Sequence, residues 1–129
     1  MPVSQSAEIR AQVVSGLALA TQARAAVAEY YWKDVPAVPA DRTVVGLGPI
    51  SGPYVQSVEI VNGRVDILYS NGANAQIAGQ VLSLTLYERT GSLEWRCGRG
   101  AEPSLPAVLV SDPDATTVAD SYLPDQCRP

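Results

Sequence analysis

The chain has 129 residues, a hydrophobic fraction of 47%, a charged fraction of 17% and a net charge of −4, a balance that supports one packed core and excludes disorder by composition. Its nine basic residues are scattered rather than clustered, so no nucleic-acid footprint is visible. There is no histidine and there are only two cysteines, which removes the commonest general base and the usual structural zinc sites.

Residues 6–32 (SAEIRAQVVSGLALATQARAAVAEYYW) contain no proline and a single glycine, Gly16. Alanine, the strongest helix former, dominates. Ile9, Val13, Leu17, Ala20, Val27 and Tyr31 recur at helical spacing and predict one apolar face. A continuous helix here would be roughly 40 Å long, too long for a small domain unless another layer lies along it. Ser4 or Ser6 can cap its start, with Glu8 in the first turn, and Lys33 suits its end. Pro36 and Pro39 stop it.

Residues 34–53 carry four prolines and three glycines and read as a long connection, with a short element possible around 43–47. Residues 54–61 and 64–70 read as strands joined by Asn62-Gly63, a strong hairpin signal. That turn sets Val61 opposite Arg64, Ile60 opposite Val65, Glu59 opposite Asp66 and Val58 opposite Ile67. Val58, Ile60, Val65, Ile67 and Tyr69 then share a buried face. Glu59 and Asp66 meet on the other face, which predicts solvent there. Residues 71–79 are a polar connection. Residues 80–87 point Leu82, Leu84 and Leu86 inward and Ser83 and Thr85 outward. After the turn at 90–92, residues 93–97 place Leu93, Trp95 and Cys97 on one face. Four sequential antiparallel strands form a meander whose apolar face needs the helix as cover. Residues 98–129 lose periodicity, and 105–110 reads as a short strand or a piece of core.

Cys97 and Cys127 are an even, low count in a small acidic chain, which suggests a disulfide formed in an oxidising compartment; two buried free thiols is the alternative. No apolar run of membrane-spanning length and no charged leader is visible around Met1-Pro2-Val3. Since a disulfide argues for export, the expectation is a shortened chain whose natural start has been replaced.

The order of these pieces resembles the type IV pilins of Gram-negative bacteria. The resemblance rests on RAQVVSGLALATQARAAVAEYY (residues 10–31), YVQSVEIVNGRVDILY (54–69), GSLEWRC (91–97) and YLPDQCR (122–128). It implies one α+β pilin domain over residues 1–129. A long N-terminal helix (4–33) packs on a four-stranded antiparallel meander (54–97). A helix-to-sheet loop (34–53) and a disulfide-bounded C-terminal region (97–127) flank the sheet. It also implies a hydrophobic half-helix ahead of this region, which anchors the precursor in the inner membrane and later forms the fibre core. That half-helix, the prepilin cleavage site and the Phe-Thr-Leu-Ile-Glu start have no counterpart here, so the expectation is a soluble form that does not assemble into native fibres.

The function so implied is a structural subunit of an extracellular type IV pilus, serving adhesion, twitching motility and possible DNA uptake. Its partners would be other pilin subunits, the inner-membrane assembly machinery reached through the absent segment, and a host or surface receptor. Direct DNA binding is disfavoured by the negative charge. The outward helical surface, alanines with Glu8, Arg10, Arg24 and Glu29, is the candidate subunit-packing face, against the alternative of an ordinary solvated face. Two other readings stand beside this one. A type II secretion pseudopilin would use calcium in place of the Cys97/Cys127 pair, and a secreted disulfide-stabilised module would bind through its loops. No catalytic residue, metal site or cofactor is expected. Asp112 and Asp114 fit Asx turns, a calcium site from Asp112, Asp114 and Asp120 is disfavoured against a solvated acidic loop, and Gly46-Leu47-Gly48 is too short for a nucleotide loop.

Replacing Cys97→Ser should lower stability by about 3–4 kcal/mol if the bond forms, read as a drop in melting temperature; an unchanged melting temperature removes the staple.

Overall fold

A computed structural model describes residues 4–33 and 36–129. Asp34 and Val35, the first two residues of the expected helix-to-sheet loop, and Met1-Pro2-Val3, read above for a leader, lie outside the described residues.

The alanine-rich stretch is helical but not continuous. Helix α1 spans Gln5–Leu19 and α2 spans Thr21–Tyr31. Ser4 caps the start, its hydroxyl accepting from the Ala7 N–H at 3.1 Å. At Ala20 the N–H is shared between the Gly16 and Leu17 carbonyls, each at 3.2 Å, and the Ala20 carbonyl then accepts from Arg24. The chain therefore bends without ending its hydrogen-bond ladder. Ile9, Val13, Ala20, Val27 and Tyr31 are buried as expected, but Gly16 and Ala23 take the inner seam and Leu17 is only half-buried. The reason is Tyr69. Its hydroxyl donates to the Val13 carbonyl at 2.7 Å, and a Cβ at Gly16 would stand 2.7 Å from that same hydroxyl. A glycine and a side chain bonded into the carbonyl ladder are both established sources of helix bending.

The strands are β1 (Val55–Val61), β2 (Arg64–Tyr69), β3 (Val81–Arg89) and β4 (Ser92–Cys97), in that spatial order and antiparallel. The β1–β2 register is the expected one: Val61–Arg64, Ile60–Val65, Glu59–Asp66 and Val58–Ile67. The positive φ of Asn62 (47°) and Gly63 (79°) makes the tight turn, and Thr90-Gly91 repeats the device between β3 and β4. Val58, Ile60, Val65, Ile67, Tyr69, Leu82, Leu84 and Leu86 form the sheet's half of the core against the helix. Ile77, from the segment expected to be a polar connection, is fully buried among them.

The opposite face of the sheet departs from expectation. It is covered over β3 and only partly open to solvent elsewhere, the Glu59 side chain on β1 being 43% exposed. A fifth strand, β5 (Val108–Leu109), pairs with Tyr87 and Glu88 of β3. The chain then crosses the outer face, and Thr117 bonds the backbone of Val81 on the other edge of β3. Ser83 and Thr85, expected outward, are buried beneath this strap. Hydroxyls of Ser111, Thr116 and Thr117 accept from the N–H groups of Leu86, Ser83 and Val81, standing in for a neighbouring strand. The like charges at Glu59 and Asp66 are each neutralised. Arg42 pairs with Glu59 at 2.9 Å, and Arg64 grips Asp66 with two bonds of 2.8 Å while donating to the Pro113 carbonyl. Around Leu105 the strap is not core: Leu105 is 86% and Val108 60% exposed.

Replacing Gly16→Ala should cost about 1–3 kcal/mol despite alanine's better helix propensity, because the added methyl meets Tyr69 and Ile67. Urea denaturation reads the sign; a gain in stability would show that the helix can lift off the sheet at no cost.

Candidate functional site

The surface open to partners is what the helix, the loop after it and the strap leave outward. On the helix, Glu8, Ala11, Val14, Ala18, Thr21, Gln22, Ala25 and Glu29 are exposed. They recur every one, three or four positions and form one outward strip, opposite the seam that meets the sheet. Ala11, Val14, Ala18 and Ala25 make it mostly small and apolar, Val14 being 47% exposed, with Thr21 and Gln22 as polar positions and the two carboxylates near the ends.

The four expected packing charges do not share that strip. Glu8 and Glu29 do. Arg10 is half-buried and donates to the Ser121 carbonyl at 3.1 Å, so it ties α1 to the C-terminal segment. Arg24 is turned to the flank, where it lines a cleft of about 270 Å³ with Leu17, Leu84, Trp95, Cys97 and Gln126. Helical spacing already turns Arg10 and Arg24 toward the seam side and Glu8 and Glu29 away from it; the sheet and the C-terminal segment decide what the two arginines meet there.

Cys97 and Cys127 are bonded, with Cα atoms 4.6 Å apart. The bond joins the end of β4 to a short turn of 3-10 helix at Asp125–Cys127. Cys127 is fully buried with Val118 and Leu123, so the strap returns to the core after crossing the sheet. Arg99 holds that return. It donates to the carbonyls of Val118 (2.8 Å) and Thr116 (2.9 Å) and pairs with Asp120 at 2.7 Å. Nothing in the sequence marked Arg99 for this role except its place two residues after Cys97.

The three acids weighed for calcium have separate partners. Asp112 accepts from the Asn62 amide and Asp114 from Thr116, while Asp120 pairs with Arg99. No group of three or more metal-ligating side chains forms among the described residues. In the loop after the helix, Asp41 caps a 3-10 turn at Thr43–Val45, accepting from the Thr43 hydroxyl and the N–H groups of Thr43 and Val44. Those bonds, the hydroxyl's first, hold its carboxyl below the usual range. Arg42 donates to the Leu47 carbonyl and folds this loop onto the β1 edge.

The far end of the helix is anchored by a contact invisible in the sequence. The Tyr31 hydroxyl donates to Glu88 Oε1 at 2.7 Å, joining α2 to β3. Trp32, 45% exposed, stacks edge-on against Tyr31 at 4.9 Å between ring centres.

A long helix on an antiparallel meander, closed by a C-terminal disulfide, is the arrangement the sequence resemblance implied; the bend at Ala20 is added by the structure. Residues 9–128 match the pilin family, described as a bacterial filament protein. The chain belongs to the pilin family. It is 35% identical to a fimbrial protein of Neisseria meningitidis serogroup A, over 99% of this chain and 81% of the relative. It is 32% identical to the type IV major pilin protein PilE1 of Neisseria gonorrhoeae, over 99% of this chain and 80% of that one. A second gonococcal relative, the type IV major pilin protein PilE, is 33% identical, again over 99% and 80%. Among the described residues of this pilin, no helix is long and apolar enough to cross a membrane.

In this pilin the Tyr31–Glu88 contact is also a pH-dependent clasp. The hydrogen bond to Glu88, burial, and the charge of Glu88 push the Tyr31 hydroxyl up to about 12. A group whose pKa rises on folding binds its proton more tightly when folded. Its stabilisation is therefore complete below the unfolded value of about 10 and fades as pH climbs toward about 12. Urea denaturation of the parent and of Tyr31→Phe should show the parent more stable at neutral pH, with the gap narrowing above about pH 10. A gap that stays constant to the alkaline limit would remove the clasp.

Proposed function

We propose that this pilin is the structural subunit of a type IV pilus, working as one of many identical copies in a filament outside the cell. The observation that carries this is the family match spanning residues 9–128, on a fold that leaves one long helical strip unpartnered. The small residues Ala11, Val14, Ala18 and Ala25 of the strip allow close approach of a neighbouring chain, and Glu8 and Glu29 at its ends are the packing charges that this reading retains. Arg10 works within the subunit, and Arg24 stands on the flank. The loop at residues 36–53 and the strap around Leu105 and Val108 are the parts that would face outward. Adhesion, twitching motility, DNA uptake, a surface receptor and recognition by an inner-membrane assembly machine belong to this proposal as roles of the assembled filament. The alanine-lined helix supports packing between copies, and the absence of histidine and of a gathered metal-ligating cluster among the described residues gives no support to a catalytic role.

The test is deletion of the gene in its host, with gold-labelled antibody raised against this chain. Surface filaments should vanish on deletion and return, decorated along their length, on complementation. Filaments that persist undecorated would overturn the reading.

A further inference from the structure

The cleft beside the helix bend has walls of Leu17, Leu84, Trp95 and the Cys97 end of the disulfide, with Arg24 and Gln126 as its polar groups. Arg24 is half-buried. Its Nε is buried and meets no acceptor among the described residues. Its nearest bond, from a terminal nitrogen to the Thr21 hydroxyl, is 3.5 Å long. A guanidinium presents a planar fork of donors that stays charged at every ordinary pH. Leaving one of those donors buried and unpaired is unfavourable, and a carboxylate is the acceptor whose two oxygens match the fork.

We propose that this cleft is a carboxylate socket for a second copy of this chain; the proposal rests on the filament reading above. The charge balance favours such an occupant, since the chain has 13 acidic residues against nine basic ones. Arginines already hold Glu59, Asp66, Glu94, Asp120 and Asp125 within the subunit, and Tyr31 bonds Glu88. On the helix strip, Glu29 has Lys33 one turn ahead, the favoured order for an ion pair, and both line the same small hollow. Glu8 has no cation one turn away and no ion pair among the described residues. Asp41, Asp112 and Asp114 are held by hydroxyl, amide or backbone donors. Glu102, also without an ion pair among the described residues, lies on the strap, whereas Glu8 stands on the outward helical strip. Glu8 of the second copy is the carboxylate assigned to the socket.

The geometry has a consequence for assembly. Glu8 and Arg24 are 16 residues apart on one bent helix. A contact joining two different patches of identical chains is heterologous, and it propagates in one direction unless the rotation closes a ring. With helices parallel, it offsets successive copies by roughly 24 Å along the helix axis. The apolar walls around Arg24 make the contact stronger than an exposed ion pair, because water is excluded from one side.

Two readouts test the socket, and the first does not need a filament. Sedimentation of the isolated chain at high concentration should show self-association that weakens with salt. Arg24→Gln should weaken it roughly tenfold while leaving the melting temperature of the dilute chain unchanged. Arg24→Glu should abolish it, and Arg24→Glu combined with Glu8→Arg should restore it. In the host, the same variants should lower and restore filament yield in parallel. The socket is overturned by association unchanged in Arg24→Gln, by a fall in melting temperature that accounts for the loss, or by failure of the charge exchange to restore association. Restoration by Glu29→Arg instead overturns the assignment to Glu8. If the isolated chain associates through Arg24 and Glu8 but its antibody labels no filament, the socket stands and the pilus reading falls.

Discussion

The helix can serve as the lid of the sheet only if the two lie close enough to exclude water along their whole contact. Gly16 and Tyr69 set that distance. Tyr69 is fully buried at the end of β2, and its hydroxyl would be an unmet polar group there without the Val13 carbonyl. Burial raises the pKa of that hydroxyl, so it remains a donor across the physiological range. The bond is reachable because residue 16 has no side chain to hold the helix away. The bend at Ala20 follows one turn later. It lets α1 and α2 track a sheet whose strands twist, which a straight rod of the same length would leave at one end.

The second layer of organisation is the strap. A four-stranded sheet with a helix on one face has another face to account for, and here the C-terminal segment accounts for it. It has too few apolar residues to make a second core, and it succeeds by hydrogen bonding. Three hydroxyls and the backbone of Val110 and Thr117 satisfy both edges of β3 where β2 and β4 fall short. Buried hydroxyls and an Arg–carboxylate pair are tolerable under it because nearly all find partners; Thr85 Oγ1 is the exception on this face. The disulfide and Arg99 then hold the end of the strap in the core. Local stability is thus concentrated at two ends of a segment with little periodic structure, an arrangement that leaves the exposed turn around Leu105 free to vary without disturbing the core.

These two layers together decide which surfaces stay open. The sheet takes one seam of the helix and the strap takes the outer face of the sheet. What remains is a narrow outward strip of the helix, the loop at residues 36–53, and the flank with its arginine-lined cleft. One element thus supplies the helical half of the monomer's core and, on its other side, an uncovered strip.

Much of this was legible in the order of residues. Alanine content and 3.6-residue periodicity specify the helix, and Asn62-Gly63 with alternating apolar residues specifies the β1–β2 register, because both signals are local and repeat several times. The family resemblance rested on such motifs and on cysteine placement, in four pieces distributed from residue 10 to residue 128. The tertiary structure decided the rest. Leu17 yielded the inner seam to Gly16 because a side chain from 53 residues away needed the space. Glu59 and Asp66, read as a solvated pair, became neutralised contacts because Arg42 lies on a loop and Arg64 on the hairpin itself; Glu59 keeps a side chain 43% exposed, while the strap meets Arg64 beside Asp66. Glu8, Arg10, Arg24 and Glu29 share a helix, but only Glu8 and Glu29 lie on its outward side, and what Arg10 and Arg24 meet on the flank was decided by the C-terminal segment and the end of β4. Periodicity records which side of an element is apolar. It carries no record of what a distant, aperiodic segment lays against the other side, and here that segment settled where most of the charged side chains went.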